Sequence, residues 1–261
     1  MIVVPDPDDL GCADVLVDAD IDGRPYRCHL DTGAARTTLV SDDYLAGLAP
    51  SGQDSSSAAF SSATEDLVTI PRLSIGPLSA GPLDVQRIEP APGRASLLGM
   101  DVLGLHCCRF RFDAQVLELT SSPDNDAGLP LQVDDRGHLY VQLSCGDVSA
   151  SACWDSGAGI TLVDEAFRRA HPALFTEAGT TVGMDGNGQP AETPLYMMAG
   201  PVIGGVQFAP SLAAVFDMTA VNQGVQYPMD IVVGYPTYQQ AEWLFDVPAR
   251  RWAAPKLLAV R

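Results

Sequence analysis

The sequence repeats itself, and that repeat limits the possible folds more than any other feature. In the first half it reads Leu30-Asp31-Thr32-Gly33-Ala34-Ala35-Arg36-Thr37-Thr38-Leu39-Val40. In the second it reads Trp154-Asp155-Ser156-Gly157-Ala158-Gly159-Ile160-Thr161-Leu162-Val163. With one gap, both copies give an apolar residue, Asp, Thr or Ser, Gly and Ala, and then Thr-Leu-Val.

The surroundings repeat as well. Alternating apolar runs flank an Asp/Gly turn ahead of each aspartate, which is a hairpin pattern. One is Val15-Leu16-Val17 through Ile21-Asp22-Gly23 to Tyr26-Arg27-Cys28; the other is Leu139–Leu143 through Gly146-Asp147 to Ala152-Cys153-Trp154. Each Thr-Leu-Val leads into a short helix candidate. These are Asp42 to Leu48, with Ser41 as cap and Pro50 as stop, and Glu165 to Ala170, with Asp164 as cap and Pro172 as stop. A polar stretch follows, Ser51 to Asp66 or Thr180 to Glu192. Then come an apolar strand with glycine turns, two apolar residues with a glycine (Leu97-Leu98-Gly99, Val232-Val233-Gly234) and an aromatic strand with Phe-Asp (Phe110–Asp113, Trp243–Asp246).

The order of these features implies a β-rich chain of two similar lobes. A polar, turn-rich segment joins them at Ser121–Gly128. The expected division is a first lobe over 1–122, a linker over 123–128 and a second lobe over 129–261. The 24 glycines and 20 prolines among 261 residues fit many turns and short strands.

Other classes fall away on composition. The net charge of −18 is spread along the chain, so no basic patch meets phosphates and nucleic acid is not an expected partner. No apolar run approaches the roughly 20 residues of a membrane span, so no membrane partner is expected. The start, Met1-Ile-Val-Val-Pro5, has no basic segment or long apolar core and does not read as a signal peptide. The expectation is a cytoplasmic chain, or an exported one if a leader has been removed. The six cysteines form no CxxC pair and no zinc-site spacing, so buried free thiols and no metal or other cofactor are expected.

Two aspartates suggest a chemistry. Hydrolysing a peptide without a metal or a nucleophilic side chain needs an activated water and an acid for the carbonyl oxygen and leaving nitrogen. Two close carboxylates cannot both ionise, so one serves as base and the other as acid. Each belongs on a tight loop, with glycine two positions on permitting close approach. A hydroxyl at the intervening position can hydrogen-bond across and lock the pair. Asp31-Thr32-Gly33 and Asp155-Ser156-Gly157 contain these parts.

In these motifs, each followed by its apolar-apolar-glycine, the chain resembles the retropepsin- and pepsin-type aspartic peptidases. The short halves resemble a retropepsin dimer fused into one chain. The resemblance implies an all-β fold with few short helices, in two similar β-barrel-like lobes with the active-site cleft between them. It implies an aspartic endopeptidase acting as a monomer on peptide or unfolded protein. Asp31 and Asp155 would be the catalytic residues, supported by Thr32, Gly33, Ser156 and Gly157. The polar stretches would be flaps over the substrate, with Phe60, Met184 and Asp185 as flap residues. The alternative is a non-hydrolytic peptide-binding protein on the same fold.

The sequence also departs from the pattern. Tyr235-Pro236 stands where the first half has Met100-Asp101, so an altered short helix is expected there. The first flap carries no tyrosine, which argues against a pepsin-like flap. Asp18-Ala-Asp20-Ile-Asp22-Gly23 opens like a calcium loop, but its twelfth position is His29 rather than Glu, and aspartates on the solvent face of a hairpin explain it better. His29, two residues before Asp31, could tune that carboxylate, although an exposed strand histidine is the plainer reading.

Overall fold

The computed structural model describes residues 1–8, 11–120 and 127–259. Of the expected linker, positions 123–126 lie outside the described residues. Strands dominate, with five short α-helices among the described residues.

The hairpin before Asp31 pairs Ala13–Ile21 with Arg24–Leu30, Leu16 facing His29. Its turn holds Asp22 and Gly23 at φ 51° and 84°, two successive left-handed residues that match strand twist. Burial alternates along the first strand: Val15, Val17, Ala19 and Ile21 face the core, while Asp14 and Asp18 face solvent. Asp18 pairs with Arg27 at 2.9 Å, and Asp20 accepts from the Gly23 amide. These aspartates therefore serve the hairpin. The second copy pairs Leu139–Cys145 with Val148–Trp154.

Each lobe builds a ten-stranded sheet, and the strand order is the same in both. From one edge, the first sheet runs through Pro50–Ser57, Ser62–Ile70, Leu83–Ile88, Thr38–Val40, Leu97–Leu98, Arg24–Leu30 and Ala13–Ile21 to the Leu73–Ile75 and Leu78–Ala80 hairpin. The duplication thus extends from sequence to topology. A third sheet takes strands from both halves: Cys107–Arg111 runs antiparallel to Ala241–Asp246, with Cys108 opposite Phe245. The aromatic Phe-Asp strands thus join the lobes.

That junction forms the centre of the core. Trp154 is fully buried, its ring 4.8 Å from Phe110, 4.9 Å from Phe245 and 5.2 Å from Tyr238. Truncating such a ring to alanine costs about 3–5 kcal/mol. All six cysteines are buried.

Three local expectations change. The first helix is shorter than expected, Asp43–Ala46, and its cap is Asp42, whose carboxylate accepts from the Leu45 amide. Asp164 does flank Glu165–Ala170, but its carboxylate accepts from the Met218 amide instead of capping that helix. The helix Tyr235–Tyr238 is not altered relative to Met100–Leu103: Gly99 and Gly234 enter them at φ −97° and −98°. Pro236 suits this position because the first helical turn leaves its N–H groups unused.

Candidate active site

Each aspartate leaves the end of a strand and enters a loop held by a chain crossing. Leu97–Leu98 lies between two strands, parallel to Arg24–Leu30 and antiparallel to Thr38–Val40. The Leu98 carbonyl accepts from the Asp31 amide at 3.0 Å, and the Ala34 carbonyl accepts from the Met100 amide at 2.8 Å. Val233 and Tyr235 repeat this at Asp155 and Ala158. Only glycine fits at the crossing: a Cβ at Gly99 would stand 2.6 Å from the Arg36 carbonyl carbon, and one at Gly234 2.1 Å from the Ile160 oxygen.

Behind each crossing lies a buried threonine. The Thr37 hydroxyl accepts from the Gly99 amide and donates to Asp101 at 2.7 Å. The Thr161 hydroxyl accepts from the Gly234 amide and lies 3.0 Å from the Thr237 hydroxyl. Thr237 therefore supplies the polar partner that Asp101 provides in the first lobe, which is how Tyr235-Pro236 is accommodated.

The two loops meet face to face. A Cβ at Gly33 would fall 2.5 Å from Asp155 Oδ2, and one at Gly157 would fall 2.5 Å from Asp31 Cγ. Each glycine thus makes room for the carboxylate of the opposite lobe. The Gly33 amide donates to Oδ1 of both Asp31 and Asp155, 2.9 Å each, and the Gly157 amide also donates to Asp155 Oδ1 at 2.8 Å. One amide therefore bridges the two carboxylates.

Thr32 and Ser156, each 1% exposed, tie the loops together from below. The Thr32 amide donates to Ser156 Oγ, and the Ser156 amide donates to Thr32 Oγ1. The hydroxyls donate onward, Thr32 to the Trp154 carbonyl and Ser156 to the Leu30 carbonyl. Both hydroxyls are fully used in a buried setting, where an unpaired partner would cost about 1–3 kcal/mol.

Both aspartates keep a partly exposed edge while protein atoms enclose the rest. Burial raises the pKa of Asp31 well above the usual carboxylate range, and the charge of Asp155 raises it further. Burial raises Asp155 as well, opposed by the Gly157 amide and by the positive field of His138.

The flap expectation falls on two hairpins, Pro50–Ser57 with Ser62–Ile70 and Phe175–Met184 with Pro190–Met198. Their tips touch. Asp185 Oδ2 accepts from the Phe60 amide at 3.1 Å and the Ser61 hydroxyl at 2.7 Å. Its Oδ1 accepts from the Asn187 and Gln189 amides of its own turn. Phe60 packs edge-on against Phe216, and exposed Met184 lies over Gly93. A cavity of about 610 Å³ opens at this meeting point, lined by Ala58, Phe60, Glu192, Phe216 and Asp217 among others, but not by the two carboxylates.

His29 lies away from this arrangement, its Nδ1 4.0 Å from Asp14. The histidine at the loops is His138, whose Nε2 is 3.0 Å from the Gly33 carbonyl oxygen. Tyr238 also supports a loop, donating its hydroxyl to the Ser156 carbonyl. Neither stands out in the sequence, although aligning the two hairpins would have placed position 138 beside Asp155.

Residues 17–104 match the family described as "gag-polyprotein putative aspartyl protease". The matched segment holds Asp31-Thr32-Gly33, the hairpin of Pro50–Ser57 with Ser62–Ile70, and Leu97-Leu98-Gly99. No curated protein matches by sequence. Among solved structures, the aspartic proteinase from Irpex lacteus superposes over 99% of this chain and 98% of its own, with a TM-score of 0.58 and 15% identity. The chain therefore has the two-lobed, all-β fold of the pepsin- and retropepsin-type aspartic peptidases, and its first lobe matches the retropepsin-like aspartyl protease family.

Proposed function

We propose that this chain is an aspartic endopeptidase that hydrolyses extended peptide segments with a water activated between Asp31 and Asp155. The observation that carries this reading is the single Gly33 amide shared by both carboxylates. Two buried acids held that close retain one proton between them. Asp31, pushed up by burial and by the charge of Asp155, holds the proton, and Asp155, beside His138, is the ionised partner.

The proton bookkeeping follows from that asymmetry. Asp155 takes a proton from water as the water oxygen bonds to the peptide carbonyl carbon, and Asp31 gives its proton to the carbonyl oxygen. The resulting neutral gem-diol collapses when Asp155 passes its proton to the amide nitrogen and the C–N bond breaks. Asp31 recovers a proton from a hydroxyl of the gem-diol as the new carboxylic acid forms. The dyad ends as it began.

Both acids are on one polypeptide, so a monomer suffices. An extended substrate would lie between the lobes beneath the flap hairpins, its backbone paired with strand edges. The test is digestion of a peptide library with and without a hydroxyl-containing transition-state mimic and with and without EDTA, across a dilution series. Cleavage that the mimic stops, that EDTA spares and that holds its specific activity on dilution supports this reading. Binding of the mimic without any cleavage would make the chain a peptide-binding protein instead.

A further inference from the structure

His138 breaks the symmetry of the duplication. Continuing the register of each hairpin, Asp14 stands opposite Asp31 and His138 stands opposite Asp155. Asp14 is exposed, with its carboxylate turned toward solvent and His29. His138 is 8% exposed and reaches across the lobe boundary to the Gly33 carbonyl. Equivalent positions in the two lobes therefore do different things.

Hydrogen-bond chemistry fixes the state of the ring. A carbonyl oxygen can only accept, so Nε2 carries a hydrogen. Nδ1 lies 2.8 Å from Asp134 Oδ2. Asp134 Oδ1 accepts from the His138 and Arg136 amides, while the nearby Tyr140 hydroxyl gives its hydrogen to the Tyr227 carbonyl at 2.8 Å. A carboxylate that already accepts from two backbone amides is the acceptor toward the ring as well, so Nδ1 carries a hydrogen too. The ring is then an imidazolium paired with a buried carboxylate. Its charge faces Asp134, Asp155 and the Gly33 peptide dipole.

We propose that His138, oriented by Asp134, is a positioning residue for the dyad: it holds the Gly33 peptide so that its amide reaches both carboxylates, and it places a positive charge on the Asp155 side. His138 grips the Gly33 carbonyl, in the Gly33–Ala34 peptide unit, and the N–H shared by the acids is that of Gly33 itself, in the adjoining Thr32–Gly33 unit. Loss of the ring frees the loop that aims this amide. Loss of the charge also removes a field that favours an ionised Asp155. The proposal rests on the endopeptidase reading for its kinetic consequences, but not for its ring chemistry.

Two variants separate geometry from charge. His138→Gln can still donate a hydrogen bond to the Gly33 carbonyl but carries no charge; His138→Ala does neither. For His138→Gln the expected result is kcat at the optimum within about threefold of wild type, KM unchanged, and the acid limb of the pH–rate profile moved to higher pH. The sign follows because Asp155 must be ionised, and removing a nearby cation makes ionisation harder. For His138→Ala the same limb shift is expected with kcat lower by about 10²-fold, the scale of a misplaced reacting group. An unmoved acid limb in folded His138→Gln overturns the proposal. So does a loss of activity in His138→Gln that merely tracks its folded fraction, since His138 would then serve folding alone.

A measurement without turnover keeps the two readings apart. The ¹⁵N NMR spectrum of wild-type protein should show both His138 ring nitrogens protonated in mildly acidic solution, and Asp134→Asn should abolish that state. A neutral ring in the wild type overturns the proposal even if peptides are cleaved. Absence of cleavage with a doubly protonated ring overturns the endopeptidase reading alone.

Discussion

Thr32 and Ser156 exchange hydrogen bonds across the lobe boundary, each hydroxyl accepting from the amide of the other residue at 3.1 and 3.0 Å. Residues from opposite halves of the chain thus complete each other's buried polar groups. Thr32→Val keeps the shape but removes the acceptor for the Ser156 amide and the donor to Trp154. The expected cost is about 1–3 kcal/mol of stability, with a larger loss of activity than of fold. Denaturant melts beside peptide turnover check this; an unchanged midpoint with full activity would contradict it.

The pH optimum is expected in mildly acidic solution, roughly pH 4 to 6. Positions 34 and 158 are alanine, and their carbonyls accept from the Met100 and Tyr235 amides. No side-chain hydroxyl at either position donates toward the dyad, so one stabilising contact to the anion is missing on each side. Ala34→Ser and Ala158→Ser should move the acid limb to lower pH. A wild-type optimum near pH 2, or a limb unmoved in folded variants, contradicts this.

Stability should respond to pH through the same pair. Burial holds both aspartates above their unfolded values. Their contribution to stability is therefore fully present below the unfolded carboxylate range and is lost as pH rises through the raised values. Asp31→Asn removes the buried proton-dependent group. It should melt near the wild-type temperature at about pH 4 and above it at about pH 8, by several degrees on the scale of about 2–4 °C per kcal/mol. Thermal melts across that range decide it; a variant less stable at every pH goes against the prediction.

The touching tips of the two long hairpins offer a separate readout. Asp185 accepts from both the Phe60 amide and the Ser61 hydroxyl of the opposite hairpin. Asp185→Ala should unlatch the tips, speed hydrogen exchange at the Phe60 amide and lower kcat/KM by about tenfold, the equivalent of about 1.4 kcal/mol. Persistent protection at Phe60 would show that the contact does not hold the hairpins.

The sequence showed most of this architecture, because strand alternation and turn residues are local signals and duplication displays them twice. The Asp22-Gly23 turn and the repeated Leu97-Leu98-Gly99 motif could be read directly, although not that this motif crosses between two strands. Contacts made across the lobes were harder to see. Ser41 and Asp164 looked like helix caps, yet Asp42 caps the first helix and Asp164 is drawn to the Met218 amide more than fifty positions away. Tyr235-Pro236 suggested an altered short helix, but the hydroxyl of Thr237 takes the place of Asp101. His138 carries no local mark: only the shared hairpin register places it beside Asp155, and only the assembled lobes bring its ring to Gly33.

Asp31 and Asp155 acting as one unit is the central claim, and a double-mutant comparison tests it most directly. Peptide turnover should be measured for wild type, Asp31→Asn, Asp155→Asn and the double variant under identical conditions. Each single change should abolish turnover, and the double variant should be no worse than either, because groups that work as a unit are not additive. Substantial turnover in either single variant, or losses that multiply in the double, would contradict it.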